Sequence, residues 1–303
     1  MTKYDVIIIG AGPAGLTAGL YCVRSGLKTA VISKNVGGTA NSILSLENWP
    51  GFSGPGTKLM KQFYDQLNEY EEVEIIMDDV EKVSKKGEDF SIKTKKQTFD
   101  SKVVILATGT ERKKLGIPGE AELTGKGVSY CVTCDAFFFK NKVVGVVGGS
   151  DCAATSALAL ADLAKKVYVF YRGEKLRCEK ITTDRLDKRE NVQIEYFAVP
   201  KKIIGKDKVE KLIVQEGKEE KEFEIEGLFV EIGGTSMIDF AKDLNLELDK
   251  DKRIIVDNEM KTSLEGVFAC GDITDTELNQ VVVASAEGAI AAKNAYDWVR
   301  GKE

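Results

Sequence analysis

The chain has 303 residues, of which 43% are hydrophobic, a length that exceeds one ordinary hydrophobic core and predicts two domains. Its formal net charge of −5, with lysines and glutamates interspersed, leaves no basic face for a polyanion, so nucleic acid is not an expected partner. No segment approaches the about 20 apolar residues of a membrane span, and the first apolar run is too short for a signal peptide. We therefore expect a cytoplasmic protein without a membrane partner.

Histidine is absent, and this absence excludes several kinds of chemistry. No Ser-His or Cys-His nucleophile and no imidazole acid or metal ligand can operate, so the chemistry depends on thiols, carboxylates, hydroxyls or a cofactor. Of six cysteines, only Cys131 and Cys134 form a motif, Cys-x-x-Cys, which in a reducing compartment is more often catalytic or metal-binding than structural. Zinc would need a second pair, so no metal site is expected. The other cysteines are expected to be small buried hydrophobes: Cys22, Cys152, Cys178 and Cys270.

The chain begins with a strand, a glycine turn and a helix. Residues 4–9 are a β-branched apolar run, followed by Gly10-x-Gly12-x-x-Gly15, a helical stretch at 16–25 and a second strand at 28–33. The three glycines suit a tight turn, close approach of the backbone to a pyrophosphate, and helix–strand contact. This context favours a dinucleotide-binding βαβ unit over a glycine turn that binds nothing.

The same pattern recurs in the middle of the chain. A strand at 142–147 leads into the turn Gly-Gly-Ser-Asp-Cys-Ala at 148–153, an alanine-rich helix to about 164 and a strand at 167–171. Between the two units a strand ends at Ala107-Thr108-Gly109, and Pro118 with its flanking glycines marks a boundary. Two nucleotide-type units predict two electron carriers.

The last segment completes the predicted fold. The segment 266–273 contains an apolar strand that ends at Gly271-Asp272, and a helix follows from about residue 284, which would return the chain to the first sheet. The predicted fold class is α/β, with two Rossmann-like, doubly wound dinucleotide-binding domains, the second inserted in the first.

Five motifs, in this order, carry a resemblance to a known family. They are the fingerprint at 10–15, Glu-Asn-Trp-Pro-Gly-Phe at 47–52, Ala-Thr-Gly at 107–109, Cys-Val-Thr-Cys-Asp at 131–135 and Gly-Val-Phe-Ala-Cys-Gly-Asp at 266–272. Together they resemble the low-molecular-weight thioredoxin reductases. The most specific element is Cys-x-x-Cys-Asp inside the second domain, since the large disulfide reductases carry their pair near the N-terminus and use a histidine.

The resemblance implies an FAD-binding domain of residues 1–112 and 243–303, and an inserted NAD(P)H-type domain of residues 113–242 that carries the disulfide. One departure is Ser33, which stands where an acid that binds the ribose is expected about 20 residues after the fingerprint, although a hydroxyl can also bond a ribose. The implied FAD contacts are Gly10, Gly12, Pro13, Ala14, Gly15, Ser33, Lys34, Gly38, Thr39, Ala40, Asn48, Val80, Thr108, Gly109, Gly271, Asp272, Asn279, Gln280 and Val281.

The redox pair is also expected to be reactive on physical grounds. A Cys-x-x-Cys at the start of a helical turn lies near backbone N–H groups that stabilise a thiolate, the nucleophile of disulfide exchange. The resemblance implies that Cys134 faces the flavin, that Cys131 attacks the partner's disulfide, and that Asp135 is the acid/base. A structural or inert disulfide, and a capping role for Asp135 in the next turn, are the alternatives.

The second glycine turn departs from the family pattern. Its implied dinucleotide contacts are Gly148, Ser150, Ala153, Arg172 and Arg177, but Ser150 replaces a glycine and hinders approach of a pyrophosphate. Residues 153–158 lack the family's acidic pair, and Tyr-Arg-Gly at 171–173 replaces His-Arg-Arg. We hypothesise that nicotinamide binding is weakened or lost and that NADH used poorly, a reduced deazaflavin, a ferredoxin or a small dithiol is the donor. The alternative is a turn that still binds NADPH through altered contacts.

The sequence thus predicts a thioredoxin reductase-like flavoenzyme that passes electrons from a reductant through FAD and the Cys131–Cys134 disulfide to a thioredoxin- or glutaredoxin-like protein. The resemblance further implies a homodimer and rotation of the inserted domain. A flavin-dependent dithiol oxidase that uses oxygen, and a non-catalytic redox sensor, remain alternatives. The retained thiol pair argues against a sensor and against a ferredoxin reductase.

Overall fold

The computed structural model describes residues 3–43, 46–217 and 219–301, so the predicted domain ends at 1–2 and 302–303 lie outside the described residues. The chain divides into two compact units: unit 1 is Met1–Glu111 with Thr235–Glu303, and unit 2 is Arg112–Gly234. The chain therefore passes between the units at residues 111/112 and 234/235, whereas the expected domain boundaries were at residues 112/113 and 242/243. The second differs because Ala241 and Leu244 are buried in the hydrophobic core of unit 1.

The strands are named in chain order. They are β1 (Lys3–Ala11), β2 (Thr29–Val36), β3 (Leu46–Trp49), β4 (Phe52–Gly54), β5 (Val73–Met77), β6 (Val80–Lys86), β7 (Asp89–Thr94), β8 (Thr98–Leu106), β9 (Thr110–Arg112), β10 (Val128–Ser129), β11 (Val143–Val147), β12 (Lys166–Tyr171), β13 (Val192–Tyr196), β14 (Ala198–Ile204), β15 (Lys211–Glu216), β16 (Glu219–Glu224), β17 (Gly227–Val230), β18 (Gly234–Ser236) and β19 (Val267–Ala269).

The helices are named in the same way. They are α1 (Pro13–Arg24), α2 (Gly56–Leu67), α3 (Glu120–Leu123), α4 (Val132–Asp135), α5 (Asp151–Ala161), α6 (Lys180–Leu186) and α7 (Val281–Gly301). Short 3-10 helices span Gly38–Ser42, Ala136–Phe139 and Asp239–Leu244. In the described part of the chain, no helix is both long and apolar enough to cross a membrane.

The main sheet of unit 1 is mostly parallel. Its order is β5-β2-β1-β8, with β19 also parallel to β8, and β7 and β6 extend it as antiparallel strands. Successive side chains of a strand point to opposite faces, so β1 contributes Val6 and Ile8 to one core and Ile7 and Ile9 to the other. Burial on both faces explains the continuous apolar run of this strand. Helices α1 and α7 contribute to the first of these cores.

Unit 2 has a second parallel sheet. Its order is β10-β17-β11-β12-β13, and an antiparallel sheet of β14, β15 and β16 lies between β13 and β17 in the chain. In both units the strand that precedes the glycine turn lies between two parallel neighbours, so the turn is at the carboxyl edge of the sheet. The predicted α/β class with two doubly wound units is confirmed.

Element boundaries differ from the predictions by a few residues. Helix α1 begins at Pro13, inside the fingerprint and not after it at residue 16, because proline suits the first helical position, where no N–H bond is lost. Helix α7 begins at Val281 instead of about residue 284, and α5 ends at Ala161 instead of about 164.

Candidate active site and nucleotide turns

The Cys-x-x-Cys pair forms a disulfide at the start of helix α4. Cys131 and Cys134 are bonded to each other, with their Cα atoms 5.3 Å apart. Cys131 is the N-cap of α4, and its Sγ accepts a hydrogen bond from the backbone N–H of Cys134 at 3.2 Å. In the reduced pair this N–H would stabilise a thiolate on Cys131. Cys131 is half-buried and Cys134 is exposed.

Asp135 is held by a serine that the sequence did not single out. The hydroxyl of Ser129 donates to the Asp135 carboxylate at 2.6 Å and accepts from the N–H of Cys131 at 3.0 Å. Asp135 precedes the 3-10 helix Ala136–Phe139, but its side chain makes no capping hydrogen bond there with the described residues, so the capping alternative has no support. In the sequence, only its position two residues before Cys131, at the end of β10, could have pointed to Ser129.

Two exposed aromatic side chains follow the disulfide. Phe137 and Phe138 are 74% and 69% exposed, whereas Phe139 is buried and contacts Phe229 edge to face. Large apolar side chains that lie together on a surface mark an interaction site more often than isolated ones do. The disulfide is thus followed in the chain by two exposed apolar side chains, which we call the Phe137–Phe138 patch.

The first glycine turn has the geometry that its sequence predicts. Gly10 has φ +110°, and a Cβ on it would lie 2.2 Å from the carbonyl oxygen of Ala107, so a side chain is excluded. A Cβ on Gly15 would lie 1.9 Å from the carbonyl oxygen of Gly10. On Gly12, by contrast, a Cβ would meet no described atom within 4 Å. The turn therefore leaves open space beside its middle glycine, at the start of the twelve-residue helix α1, which suits a pyrophosphate.

Other predicted FAD contacts lie along unit 1. The Ser33 hydroxyl donates to the carbonyl of Asn35 at 2.7 Å, and Lys34 forms an ion pair with Asp79 at 3.1 Å. Gly38 begins a 3-10 helix that includes Thr39 and Ala40, and a Cβ on Gly38 would lie 3.5 Å from the Cα of Gly12. These segments lie within unit 1 next to the first turn. Three further predicted contacts lie at the ends of strands: Val80 at the start of β6, and Thr108 and Gly109 after β8.

The segment after β19 brings several predicted contacts together. The side-chain amide of Asn48 donates to the Gln280 side chain at 2.9 Å, and Asn279 bonds the carboxylate of Asp272. Burial raises the pKa of Asp272 from its ordinary value, and this hydrogen bond opposes the shift.

A buried carboxylate that the sequence did not single out holds this segment. Glu287 accepts the N–H of Gly271 at 2.6 Å, and burial raises its pKa. It fixes the turn that carries Asp272, and Val281 begins α7 beside them.

The second glycine turn keeps part of this geometry. Gly148 has φ +149°, and a Cβ on it would lie 2.2 Å from the carbonyl oxygen of Glu231 and 2.8 Å from the Cβ of Ala153. Ser150 is the N-cap of α5 and places a side chain where Gly12 has none, with no capping hydrogen bond from its hydroxyl to the described residues. The N–H of Arg177 donates to the carbonyl of Gly149 at 2.6 Å, as that of Gly37 does to Ala11 at 2.7 Å in unit 1.

A buried carboxylate contacts the uncharged stretch 153–158 of helix α5. Glu231, directly after β17, pairs with Arg112 at 2.6 Å and accepts from the Ser156 hydroxyl at 3.2 Å. Burial raises the pKa of Glu231, which Arg112 and Ser156 oppose. A carboxylate from a segment distant in the chain thus contacts α5 at Ser156, which no local pattern could reveal.

The isolated cysteines divide into two groups. Cys22 and Cys270 are buried as predicted, and burial raises the pKa of each thiol. The expectation is wrong for Cys152, which is exposed, and for Cys178, which is half-buried. Cys152 lies in the first turn of α5 and Cys178 in the irregular segment before α6, where neither faces a core.

The sequence and the fold of this chain are similar to those of known proteins. A family model described as pyridine nucleotide-disulphide oxidoreductase matches residues 4–288. The thioredoxin reductase of Treponema pallidum is 38% identical over 303 residues, 98% of each chain. The structure of Lactococcus lactis thioredoxin reductase matches with a TM-score of 0.96 and 36% identity over 99% of this chain and 100% of that one. A ferredoxin-flavin thioredoxin reductase of Clostridium acetobutylicum matches with a TM-score of 0.54 and 32% identity over 99% of both chains.

Proposed function

Because the chain belongs to the pyridine nucleotide-disulphide oxidoreductases, and within them to the thioredoxin reductases, we propose that it reduces a thioredoxin- or glutaredoxin-like protein through FAD and the Cys131–Cys134 disulfide. The observation that carries this proposal is the disulfide itself, formed at the start of a helical turn with a backbone N–H on the Cys131 sulfur. The family makes the protein an oxidoreductase; the partner and the order of steps are our proposals.

The residues of unit 1 fit FAD. The open space beside Gly12, the N-terminus of α1 and the half-buried Asp272 provide room for a pyrophosphate and polar groups for a ribityl chain. Gly12 to Gly15, Ser33 to Ala40, Asn48, Val80 and the segment from Gly271 to Val281 would hold the cofactor. Bound FAD would supply the two-electron chemistry that reduces the disulfide to two thiols.

The two thiols then perform disulfide exchange. The Cys131 thiolate attacks one sulfur of the partner's disulfide, which forms a mixed disulfide and releases the other partner sulfur as a thiolate. The Cys134 thiolate next attacks the Cys131 sulfur, which restores the internal disulfide and releases the second partner thiolate. Asp135, held by Ser129, is the proposed acid that protonates the departing sulfur. The partner gains two electrons and two protons.

The Phe137–Phe138 patch is the proposed docking surface for this partner. Both rings are exposed and follow Cys134 by three and four residues, so a partner that covers them brings its own disulfide close to the pair. A protein disulfide on an apolar surface matches this patch better than a small polar disulfide does. By family likeness we also propose a homodimer that works in the reducing cytoplasm.

For the electron donor, we propose a reductant other than NADPH. The support is Ser150, whose side chain stands where the first turn has only Gly12. A ferredoxin-flavin thioredoxin reductase is among the structures to which the chain is similar. NADH used poorly, a reduced deazaflavin, a ferredoxin and a small dithiol are the candidates.

An anaerobic titration tests the redox chain and the donor. The visible flavin absorbance of the purified protein is followed while NADPH, NADH, reduced ferredoxin or dithiothreitol is added in separate cells. We expect dithiothreitol to bleach the flavin and NADPH to leave it unchanged on the same timescale. Prompt bleaching by NADPH would overturn the donor proposal.

A second assay, in air, tests the oxidase alternative. If peroxide forms at the rate at which dithiothreitol is consumed, the protein is a dithiol oxidase instead.

Trapping of the mixed disulfide tests the role of each cysteine. A single-cysteine thioredoxin activated with thionitrobenzoate is mixed with reduced Cys134→Ser protein or with reduced Cys131→Ser protein. We expect Cys134→Ser to release thionitrobenzoate at least about tenfold faster, because the N–H on the Cys131 sulfur favours its thiolate. Equal rates, or a faster Cys131→Ser protein, would contradict the assignment.

A further inference from the structure

Tyr171 stands at the position of the second turn where a dinucleotide site recognises the ribose. In unit 1 this position is Ser33, which follows Ile32, and Ile32 pairs with Ile9 directly before Gly10. In unit 2 Tyr171 follows Phe170, and Phe170 pairs with Val147 directly before Gly148. The register of the two parallel pairs therefore makes Tyr171 the counterpart of Ser33. In dinucleotide-binding units, this end of the second strand carries the group that bonds the adenosine ribose.

The ring of Tyr171 is held between two glycines. A Cβ on Gly149 would lie 2.3 Å from Cδ2 and 2.4 Å from Cε2 of the ring. A Cβ on Gly173 would lie 2.7 Å from Cε1 and 3.0 Å from the hydroxyl oxygen. One edge of the ring thus contacts the backbone of the glycine turn, and the other contacts the segment that follows β12. The side chain is only 9% exposed, whereas Ser33 is half-buried.

This arrangement gives the glycines of unit 2 a different task. Gly149 corresponds to Ala11 of the first turn, where a side chain is present, so the turn itself does not require glycine there. A side chain on Gly149 or Gly173 is excluded by the Tyr171 ring. The ring offers neither a carboxylate for a ribose hydroxyl nor a guanidinium for a phosphate, and its own hydroxyl lies against Gly173.

We propose that the Tyr171 ring, fixed by Gly149 and Gly173, occupies the ribose position of the second turn and closes unit 2 to adenine dinucleotides. The inference rests on the proposed function, and it names the side chain that excludes the family's nicotinamide donor. Ser150 adds to the exclusion, because its side chain stands beside the path of a pyrophosphate. The exposed Arg172 and Arg177 remain available to a phosphate, so removal of the ring should restore binding of NADPH more than of NADH.

Equilibrium binding of NADPH and NADH to the oxidised, FAD-loaded protein tests the inference. The variants are Tyr171→Ala, Tyr171→Val, which places a small β-branched residue that favours strands at the end of β12, and Tyr171→Ala with Ser150→Gly. Tyr171→Phe keeps the ring, and Tyr196→Ala removes a half-buried tyrosine from the paired position of the adjacent strand β13. Circular dichroism and FAD content confirm that each variant is folded.

The small substitutions should strengthen NADPH binding at least about tenfold over the unchanged protein, with the largest gain in the double variant, while Tyr171→Phe and Tyr196→Ala change nothing. The inference is overturned if the unchanged protein binds NADPH within about threefold of the Tyr171→Ala variant. It is equally overturned if the folded double variant binds no better than the unchanged protein. Thioredoxin reduction by dithionite-reduced protein is measured in parallel. Its failure would refute the proposed function without altering the binding result.

Discussion

The first glycine of each turn, Gly10 in unit 1 and Gly148 in unit 2, packs against the backbone at the end of a neighbouring strand. The space for a side chain is equally small in the two turns. A Cβ on either would lie 2.2 Å from a carbonyl oxygen, that of Ala107 after β8 or that of Glu231 after β17. In both turns, the next residue also accepts a backbone N–H from the segment after the second strand. The two units therefore share the backbone of the turn.

The two turns differ in the side chains that surround this backbone. Unit 1 leaves the space beside Gly12 open and carries the short Ser33 at the ribose position, whereas unit 2 has Ser150 and the enclosed ring of Tyr171. The comparison teaches that the first and third positions of a glycine fingerprint build the turn, while ligand binding depends on the space left open by the side chains at the middle position and at the end of the next strand. A fingerprint can thus keep its fold after its ligand surface has changed.

The largest expected effect comes from alanine at the first glycine of either turn. Gly10→Ala and Gly148→Ala each combine a backbone clash with a φ that disfavours side chains, and each should lower the free energy of unfolding by about 3 kcal/mol or more. Gly10→Ala should also lose FAD, whereas Gly148→Ala should keep it. Thermal unfolding and the ratio of FAD to protein measure both effects.

Gly26→Ala is the matched control for these two variants. Gly26 has φ +78° with no described atom within 4 Å of an added Cβ, so only backbone strain of about 1 kcal/mol is expected. If Gly10→Ala and Gly148→Ala were no less stable than Gly26→Ala, the shared backbone contact would not matter.

A serine at the middle position of the first turn should reproduce the defect of the second. Gly12→Ser adds a side chain to open space, so the fold should be kept while FAD affinity falls at least about tenfold. FAD titration of the apoprotein measures the affinity, and Thr17→Ser, a substitution in the same helix, is the control. Unchanged FAD affinity would show that a middle serine is tolerated and would weaken the argument from Ser150.

Glu287 should make stability depend on pH in a direction that its burial sets. Burial raises the pKa of Glu287 in the folded protein above its value in the unfolded chain. The stability that the protonated side chain contributes is therefore present at low pH and is lost as pH rises through the folded pKa. Glu287→Gln keeps an acceptor for the N–H of Gly271 but does not ionise. The variant should therefore gain stability relative to the unchanged protein as pH rises from the ordinary glutamate pKa of 4.5 through neutral pH. Thermal unfolding across this range measures it, and a constant difference would contradict the prediction.

The smallest expected effect is at Ser33, the counterpart of Tyr171. Its hydroxyl already bonds the carbonyl of Asn35 within its own turn, so Ser33→Ala should cost about 1 kcal/mol of stability and reduce FAD affinity less than about threefold. Chemical denaturation and FAD titration provide the two values. A loss of FAD as large as that in Gly12→Ser would show that the hydroxyl recognises the ribose instead.

The sequence alone determined the fold class, both βαβ units and the Cys-x-x-Cys motif. These features depend on hydrophobic periodicity and on residues close together in the chain, such as Gly10 to Gly15 and Cys131 to Asp135, so a short segment contains their whole cause. The departures at Ser150 and at 171–173 were also visible, but their spatial relation was not.

Only the tertiary structure decided how these residues meet. The ring of Tyr171 lies on Gly149 because β11 and β12 pair in parallel, and Glu231 reaches Ser156 because β17 lies beside β11. The second boundary between the units lies after Gly234, earlier than expected, because Ala241 and Leu244 pack in a core of unit 1 that is formed mainly by strands distant in the chain. Such contacts arise from sheet register between separate segments, and local pattern carries no information about them.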